Sequence, residues 1–223
     1  MSQLDLFILV IYTLTVIIVL TRAIESLDKK TTITFDDTQF KAKLEQYELS
    51  GKINVKFGFE KRYGLDEQPT KLSVTIENKS EEAMYIDWDR SSVSELGGRS
   101  RRAIRLTPYG SPDLSKAQVD TVVPPGSSVQ ETITAEGCLT SDSDNPDKLI
   151  PTQKLMNMGG IQKSNKKLYQ DFLEEKAALG YTVWLVVQMG DTESAHRGDR
   201  LYVLPCNIVT KKVPWTDSLP WKG

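Results

Sequence analysis

From Leu6 to Leu20 the chain is apolar at every position except Tyr12, Thr13 and Thr15, and none of these is charged. In hydrocarbon every backbone N–H and C=O must be satisfied within the segment, so a run of this kind has to be a helix. Extended from Leu4 to Ile24, with Asp5 and Arg22 reaching back to the headgroups, it is about 31 Å long at ~1.5 Å per residue, enough to cross a bilayer. A cleaved signal peptide would carry a basic segment before the apolar run, and no Lys or Arg precedes it. Residues 1–24 are therefore expected to form a retained single-pass transmembrane anchor. Arg22, Lys29 and Lys30 follow the span. The positive-inside rule then places the C-terminal part on the cytoplasmic side.

Beyond the anchor, residues 25–45 are polar and mixed and read as a tether, with "TTITF" as a candidate first strand inside it. The period then becomes two. Ile53, Val55, Phe57 and Phe59 share one face, as do Leu72, Val74 and Ile76, and then Met84, Ile86 and Trp88. Alternation of this kind marks strands buried on one side, and three in succession mark an antiparallel sheet. "RAIRL", "QVDTVV" and "SVQETITA" add short strands, and "PPGSS" turns the chain between the last two. "YTVWLVVQM" is a continuous apolar run, expected as a central strand covered on both faces. It pairs with "DRLYVLPCNIV" across the turn "GDTESAHRG".

These signals predict a mainly β fold. It is an immunoglobulin-like antiparallel β-sandwich over residues 46–213, with one helical insertion, behind a single N-terminal transmembrane helix. The insertion covers about 141–180. Its helix runs from a Ser164 cap to Gly180, with Leu168, Phe172, Leu173, Ala177 and Leu179 as the apolar stripe. Residues 214–223 form a C-terminal tail.

Little in the sequence suggests catalysis or a cofactor. The one histidine, His196, lies in a polar turn with no nucleophile motif near it. Asp142 and Asp144 have the spacing of a calcium loop, but Pro146 interrupts the series and the glycine is missing. Asp87 and Asp89 share a strand face, which alone does not make a pair of catalytic carboxylates. Cys138 and Cys206 have no metal-site spacing, and a disulfide between them stays open. A net charge of -2 argues against nucleic acid as partner.

Two features ask for an explanation. "GGRSRRAIRL" packs Arg99, Arg101, Arg102 and Arg105 into seven positions. If Ile104 and Leu106 face inward, Arg101 and Arg105 lie on the wet face, Arg99 lies in the turn, and Arg102 lies at the strand end or pairs with a buried acid. Such charges protect an edge strand, or they meet an anion such as a lipid headgroup or an acidic protein. Trp215 and Trp221 in the tail each follow a proline and need cover from the sandwich, the membrane interface or a partner. Arg99, Arg101, Arg105, Trp215 and Trp221 are the candidate contact residues.

The segment "IENKSEEAMYIDWDRSSVSELGGRSRRAIRL", followed by "VVPPGSSVQETI", resembles a group of poorly characterised bacterial envelope proteins. Many of these are lipoproteins or single-span proteins with an immunoglobulin-like sandwich. The resemblance rests on Asn78, on Trp88 beside Asp89, on the Gly98–Ile104 segment, and on Pro124 to Gly126, within residues 72–133. It implies a fold and an envelope setting, and no chemistry. The functional expectation is a membrane-anchored, non-enzymatic interaction module, an accessory or assembly subunit of a larger membrane protein complex. The alternative is a sensor or carrier domain for an anionic small molecule or lipid headgroup.

Overall fold

The computed structural model describes residues 3–96, 98–108, 110–190, 201–214 and 217, of which 24–28 by backbone alone. Helix α1 (Gln3–Asp28) is followed after one residue by strand β1 (Lys30–Asp36) and helix α2 (Thr38–Gln46). Then come β2 (Ile53–Gly58), β3 (Tyr63–Gly64), β4 (Leu72–Asn78), β5 (Met84–Ser94), β6 (Ser100–Leu106), β7 (Thr121–Val123) and β8 (Ser128–Ala135). An insertion holds β9 (Leu139–Ser141), β10 (Leu149–Pro151), α3 (Met158–Ser164) and α4 (Lys166–Leu173). The long strands β11 (Leu179–Met189) and β12 (Leu201–Lys212) end the domain.

Within α1, residues Gln3–Ala23 are long and apolar enough to span a membrane, and none of that stretch is buried against the domain. Thr13, Thr15 and Thr21 turn their hydroxyls back to carbonyls four residues earlier, which hides the polar atoms inside the helix.

The domain is the expected mainly β sandwich. One sheet runs β2-β4-β8 and the other β5-β11-β12-β1-β3, with β7 on the free edge of β5. Strand β6 belongs to both. Its first half pairs with β5 (Ser92↔Arg102) and its second half with β8 (Ala103↔Ala135). Strands that switch sheets in this way make the corners of sandwiches. The opposite side is closed by aromatic rings, with Phe35 of β1 lying 5.2 Å from Phe57 of β2 and 5.8 Å from Phe40 of α2. Between the sheets lie Val74, Ile76, Met84, Ile86, Trp88, Ile133, Val183, Leu185, Leu204 and Ile208, all fully buried.

Several expectations are corrected. Residues 25–45 do not hang as a tether. β1 pairs along its length with β12 from Thr31↔Lys212 to Asp36↔Asn207, and α2 buries Phe40 and Leu44. The strands of Leu72 and Met84 are not neighbours. β4 lies between β2 and β8 while β5 lies beside β11, so the chain crosses from one sheet to the other at the 78–84 turn. Asn78 fixes that crossing. Its amide donates to Glu82 O at 2.8 Å and to Val123 O at 2.9 Å, and its side-chain carbonyl accepts from Ser80.

The helix expected from Ser164 to Gly180 shrinks to α4, and a second short helix, α3, precedes it. Ser164 ends α3, and Asn165 leaves helical geometry (φ -143) so that its side chain can accept from Leu168 N at 3.0 Å and cap α4. Leu179 and Gly180 belong to β11. There Gly180 lets β12 approach, because a Cβ would meet Ile208 O at 2.5 Å. β11 is central, as expected, but alternates from Leu179 to Leu185 and is buried continuously only over Leu185–Val187. Cys138 and Cys206 are buried free thiols. His196 lies outside the described residues.

Candidate functional site

The arginine segment takes its geometry from two irregularities. In β5, Ser92 faces Trp184 and Asp87 faces Val186, so Trp88 to Ser91 bulge opposite the single residue Leu185. Ser91 Oγ fills the gap, donating to Asp87 O and accepting from Val186 N at 3.0 Å. In β6, the switch between sheets buries two successive residues, Ala103 and Ile104, which breaks the alternation. Arg102 and Arg105 therefore fall on either side of the corner, and each finds acids that the other cannot reach.

Arg101 Nε lies 3.2 Å from Glu95, and its side chain lies where a Cβ on Gly137 would point. Arg102 lies 3.4 Å from Asp89 and 3.6 Å from Glu136, and donates to Leu114 O at 2.9 Å. Of the two places expected for Arg102, the ion pair is the one found, but the acids that receive it are themselves only partly covered. Arg105, expected on the wet face, is 22% exposed and pairs at 3.3 Å with Glu131, which is 16% exposed. Its guanidinium also donates to Thr121 Oγ1 at 3.1 Å, and that oxygen accepts from Trp88 Nε1 at 2.8 Å. Gln118 stitches the same corner. Its backbone N–H donates to Asp89, its side-chain carbonyl accepts from Arg105 N, and its amide donates to Ala103 O.

Most of the arginine charge is thus neutralised inside the fold. Arg99 is the exception. It is exposed, forms no ion pair among the described residues, and opens onto a cleft of about 360 Å3 with Leu96, Lys154, Met156, Ser164 and Tyr181. Leu96 beside it is 44% exposed. Trp215 and Trp221 lie outside the described residues. Asp217, between them, accepts at its backbone carbonyl from Arg62 at 2.6 Å.

Gln118, Thr121 and Glu131 have no sequence signature, since single polar residues in a loop or on a strand carry no signal of their own. The carboxylates around the bulge repel one another. Partial burial, and then the charges of Asp87 and Asp89, push the Asp120 carboxyl above its ordinary range against a smaller opposing effect of Arg90. Asp113 is held at about 2 by hydrogen bonds from Ser115 and Lys116, which fixes the loop that Gln118 and Leu114 continue. Burial raises the thiols of Cys138 and Cys206, which removes the thiolate character a nucleophile needs. Among the described residues no cluster of His, Cys, Asp and Glu could hold a metal ion. Asp142 accepts from Asp144 N and donates from its own N–H to Lys148 O, a closed local turn.

No protein-family model matches the sequence, and no curated protein matches it. Among solved structures the chain is similar to a structural-genomics target named SoR45, at 10% identity and a TM-score of 0.32 over 74% of this chain and 90% of that one. It is similar to the putative ApaA protein from Bordetella pertussis at 8% identity and a TM-score of 0.29, over 73% and 92%. An ASH/PapD-like domain of human CEP192 matches at 9% identity and a TM-score of 0.27, over 70% and 81%.

Proposed function

We propose that this chain is a membrane-anchored, non-enzymatic interaction module, an accessory or assembly subunit of a larger membrane protein complex. One observation carries the reading. A helix long and apolar enough to span a bilayer leads after the single residue Lys29 into a strand paired along its length with β12 of the domain. A rigid sandwich held at a membrane supplies position and contact surface. Most of the ionisable groups near its corner are consumed by structure, with Arg102 and Arg105 locked to Asp89, Glu136 and Glu131. The exposed Arg99 and the half-covered Arg101, with Trp215 and Trp221 of the tail, form the proposed contact surface, and Arg105 supports it from within. The basic residues Arg22, Lys29 and Lys30 favour the cytoplasmic side for the domain.

Purification of the full chain from its native membrane in mild detergent tests this. A subunit brings stoichiometric neighbours, and Arg99→Glu with Arg101→Glu, or Trp215→Ala with Trp221→Ala, releases at least one of them. A chain that purifies alone with bound lipid or an anion supports the carrier alternative. Protease added outside intact cells checks the orientation, since rapid digestion of the domain would place it on the other face.

A further inference from the structure

The end of the sandwich from which α1 departs is also the end closed by the insertion. The Lys29 carbonyl accepts from Leu65 N at 2.8 Å and the Lys30 carbonyl from Val213 N at 2.9 Å. Toward that end β12 passes Thr210, which faces Leu179 at the start of β11, and Lys212, which faces Thr31. β8 reaches the same end, since Ile133 faces Leu72 and the chain between Gly58 and Leu72 carries β3, paired to β1. The chain between Ala135 and Leu179 therefore leaves and re-enters the sandwich on the anchor side. It is docked there by Lys212 Nζ donating to Leu173 O, by Leu155 N donating to Pro69 O, and by Lys154 Nζ donating to Asp66 O.

One stretch of the insertion at this end is basic. From Thr152 to Gln170 the insertion holds Lys154, Lys163, Lys166 and Lys167 and no acidic residue, in a chain whose net charge is -2. Lys163, Lys166 and Lys167 are exposed at the α3–α4 corner and form no ion pair among the described residues. The exposed Arg99 opens onto the same cleft as Ser164. The acids that bound the stretch are Asp147 and Asp171, and Glu174 beyond them already pairs with Lys176. Exposed lysines that lack an internal partner act over about one Debye length, ~8 Å at physiological ionic strength, so they matter only if an anionic surface is close. Beyond the apolar span only five helical residues, about 7.5 Å at ~1.5 Å per residue, and Lys29 precede β1, which keeps the domain near the bilayer.

We infer that the α3–α4 corner, through Lys163, Lys166 and Lys167, rests on anionic lipid headgroups, so that the domain stands on the membrane instead of swinging from it. This rests on α1 lying in the bilayer.

The test uses the full chain reconstituted into vesicles with a quencher on the lipid headgroup. A fluorophore is placed on Ser164→Cys, and in a second protein on Glu81→Cys in the β4–β5 turn at the opposite end. The native cysteines are buried and leave the new thiol as the accessible one. Both variants are matched to the parent in thermal midpoint. With phosphatidylglycerol in the vesicles, the probe at 164 is expected to be quenched several-fold more than the one at 81. That contrast should shrink in neutral phosphatidylcholine, in high salt, and on adding Lys163→Glu, Lys166→Glu and Lys167→Glu. A contrast that is the same in neutral and anionic lipid, or that survives the charge reversal, overturns the headgroup contact and leaves the anchor standing. Equal quenching at both positions also overturns it. A chain that fails to float with vesicles overturns the anchor, and the contact with it.

Discussion

Trp88 Nε1 donates to Thr121 Oγ1 at 2.8 Å, and the same hydroxyl donates to Glu131 at 2.9 Å while accepting from Arg105 at 3.1 Å. One threonine on the short strand β7 thus joins the buried indole of β5 to an ion pair between β6 and β8. A hydroxyl oxygen has one proton and two lone pairs, and all three are used. The corner at which β6 changes sheets is held by this relay.

Trp88 is fully buried, so its replacement separates packing from hydrogen bonding. Trp88→Ala is expected to destabilise the domain by about 3–5 kcal/mol through lost burial and the cavity left behind. Trp88→Phe keeps most of the apolar area but removes the donor, and should cost about 1–3 kcal/mol. Urea unfolding followed by circular dichroism reads both. A loss near zero for Trp88→Phe would show that the hydrogen bond contributes nothing.

The Arg105–Glu131 pair is more than three-quarters covered at both side chains. Removing one partner leaves the other charge poorly solvated. Arg105→Met or Glu131→Gln alone should each destabilise by about 1–3 kcal/mol, less than a fully buried pair because water still reaches both groups. The double variant should lose less than the sum of the two. A double-mutant cycle in urea with no coupling would mean that the pair is only a neighbourly placement.

The strands were legible because alternation is a direct print of burial. Met84, Ile86 and Trp88, like Leu72, Val74 and Ile76, are buried in the phase that the sequence gives them. The pairing was not legible, since a period of two names a buried face but not the strand alongside. Two strands adjacent in sequence therefore fell into different sheets, at a crossing made by the hydrogen bonds of Asn78. β1 was legible as the β-branched run Thr31 to Thr34, but its polar flanks concealed that it belongs to the sandwich. α2 was hidden by polar composition, and the spacing of Phe40 and Leu44 by one helical turn was the signal that would have revealed it. Of the acids near the arginines in sequence, Asp89 and Glu95 do pair with them. Glu131 and Glu136 meet them only because β8 folds beside β6, a long-range contact that no local spacing encodes.

Asp120 gives a pH signature. Folding raises its pKa, so the folded state holds the proton more tightly than the unfolded chain does. Its ionised form therefore opposes folding at neutral pH, and the penalty fades as the pH falls through the folded pKa. Asp120→Asn should raise the thermal midpoint at neutral pH, with a gain that shrinks steadily on acidification. The partial burial and the charges of Asp87 and Asp89 set the direction, with Arg90 working against it. A midpoint that drops on substitution at neutral pH would reverse the assignment.

The boundary between anchor and domain can be placed by truncation. Removing residues 1–28 deletes α1 and leaves every strand of the sandwich intact. Removing residues 1–36 also takes β1, and with it the buried Thr31 and Ile33, the Phe35 ring against Phe40 and Phe57, and the whole ladder to β12. Burying one Ile side chain is worth about 1.5–3 kcal/mol, and the aromatic contacts and ladder add to it, so the longer truncation should lose about 3 kcal/mol or more. It also leaves β12 with an unpaired edge from Asn207 to Lys212, a template for association with other copies. The shorter truncation is expected to be a soluble monomer. The longer one should melt at lower temperature, with aggregates in size-exclusion chromatography. If residues 25–45 were only a tether, the two truncations would have the same thermal midpoint and elute alike.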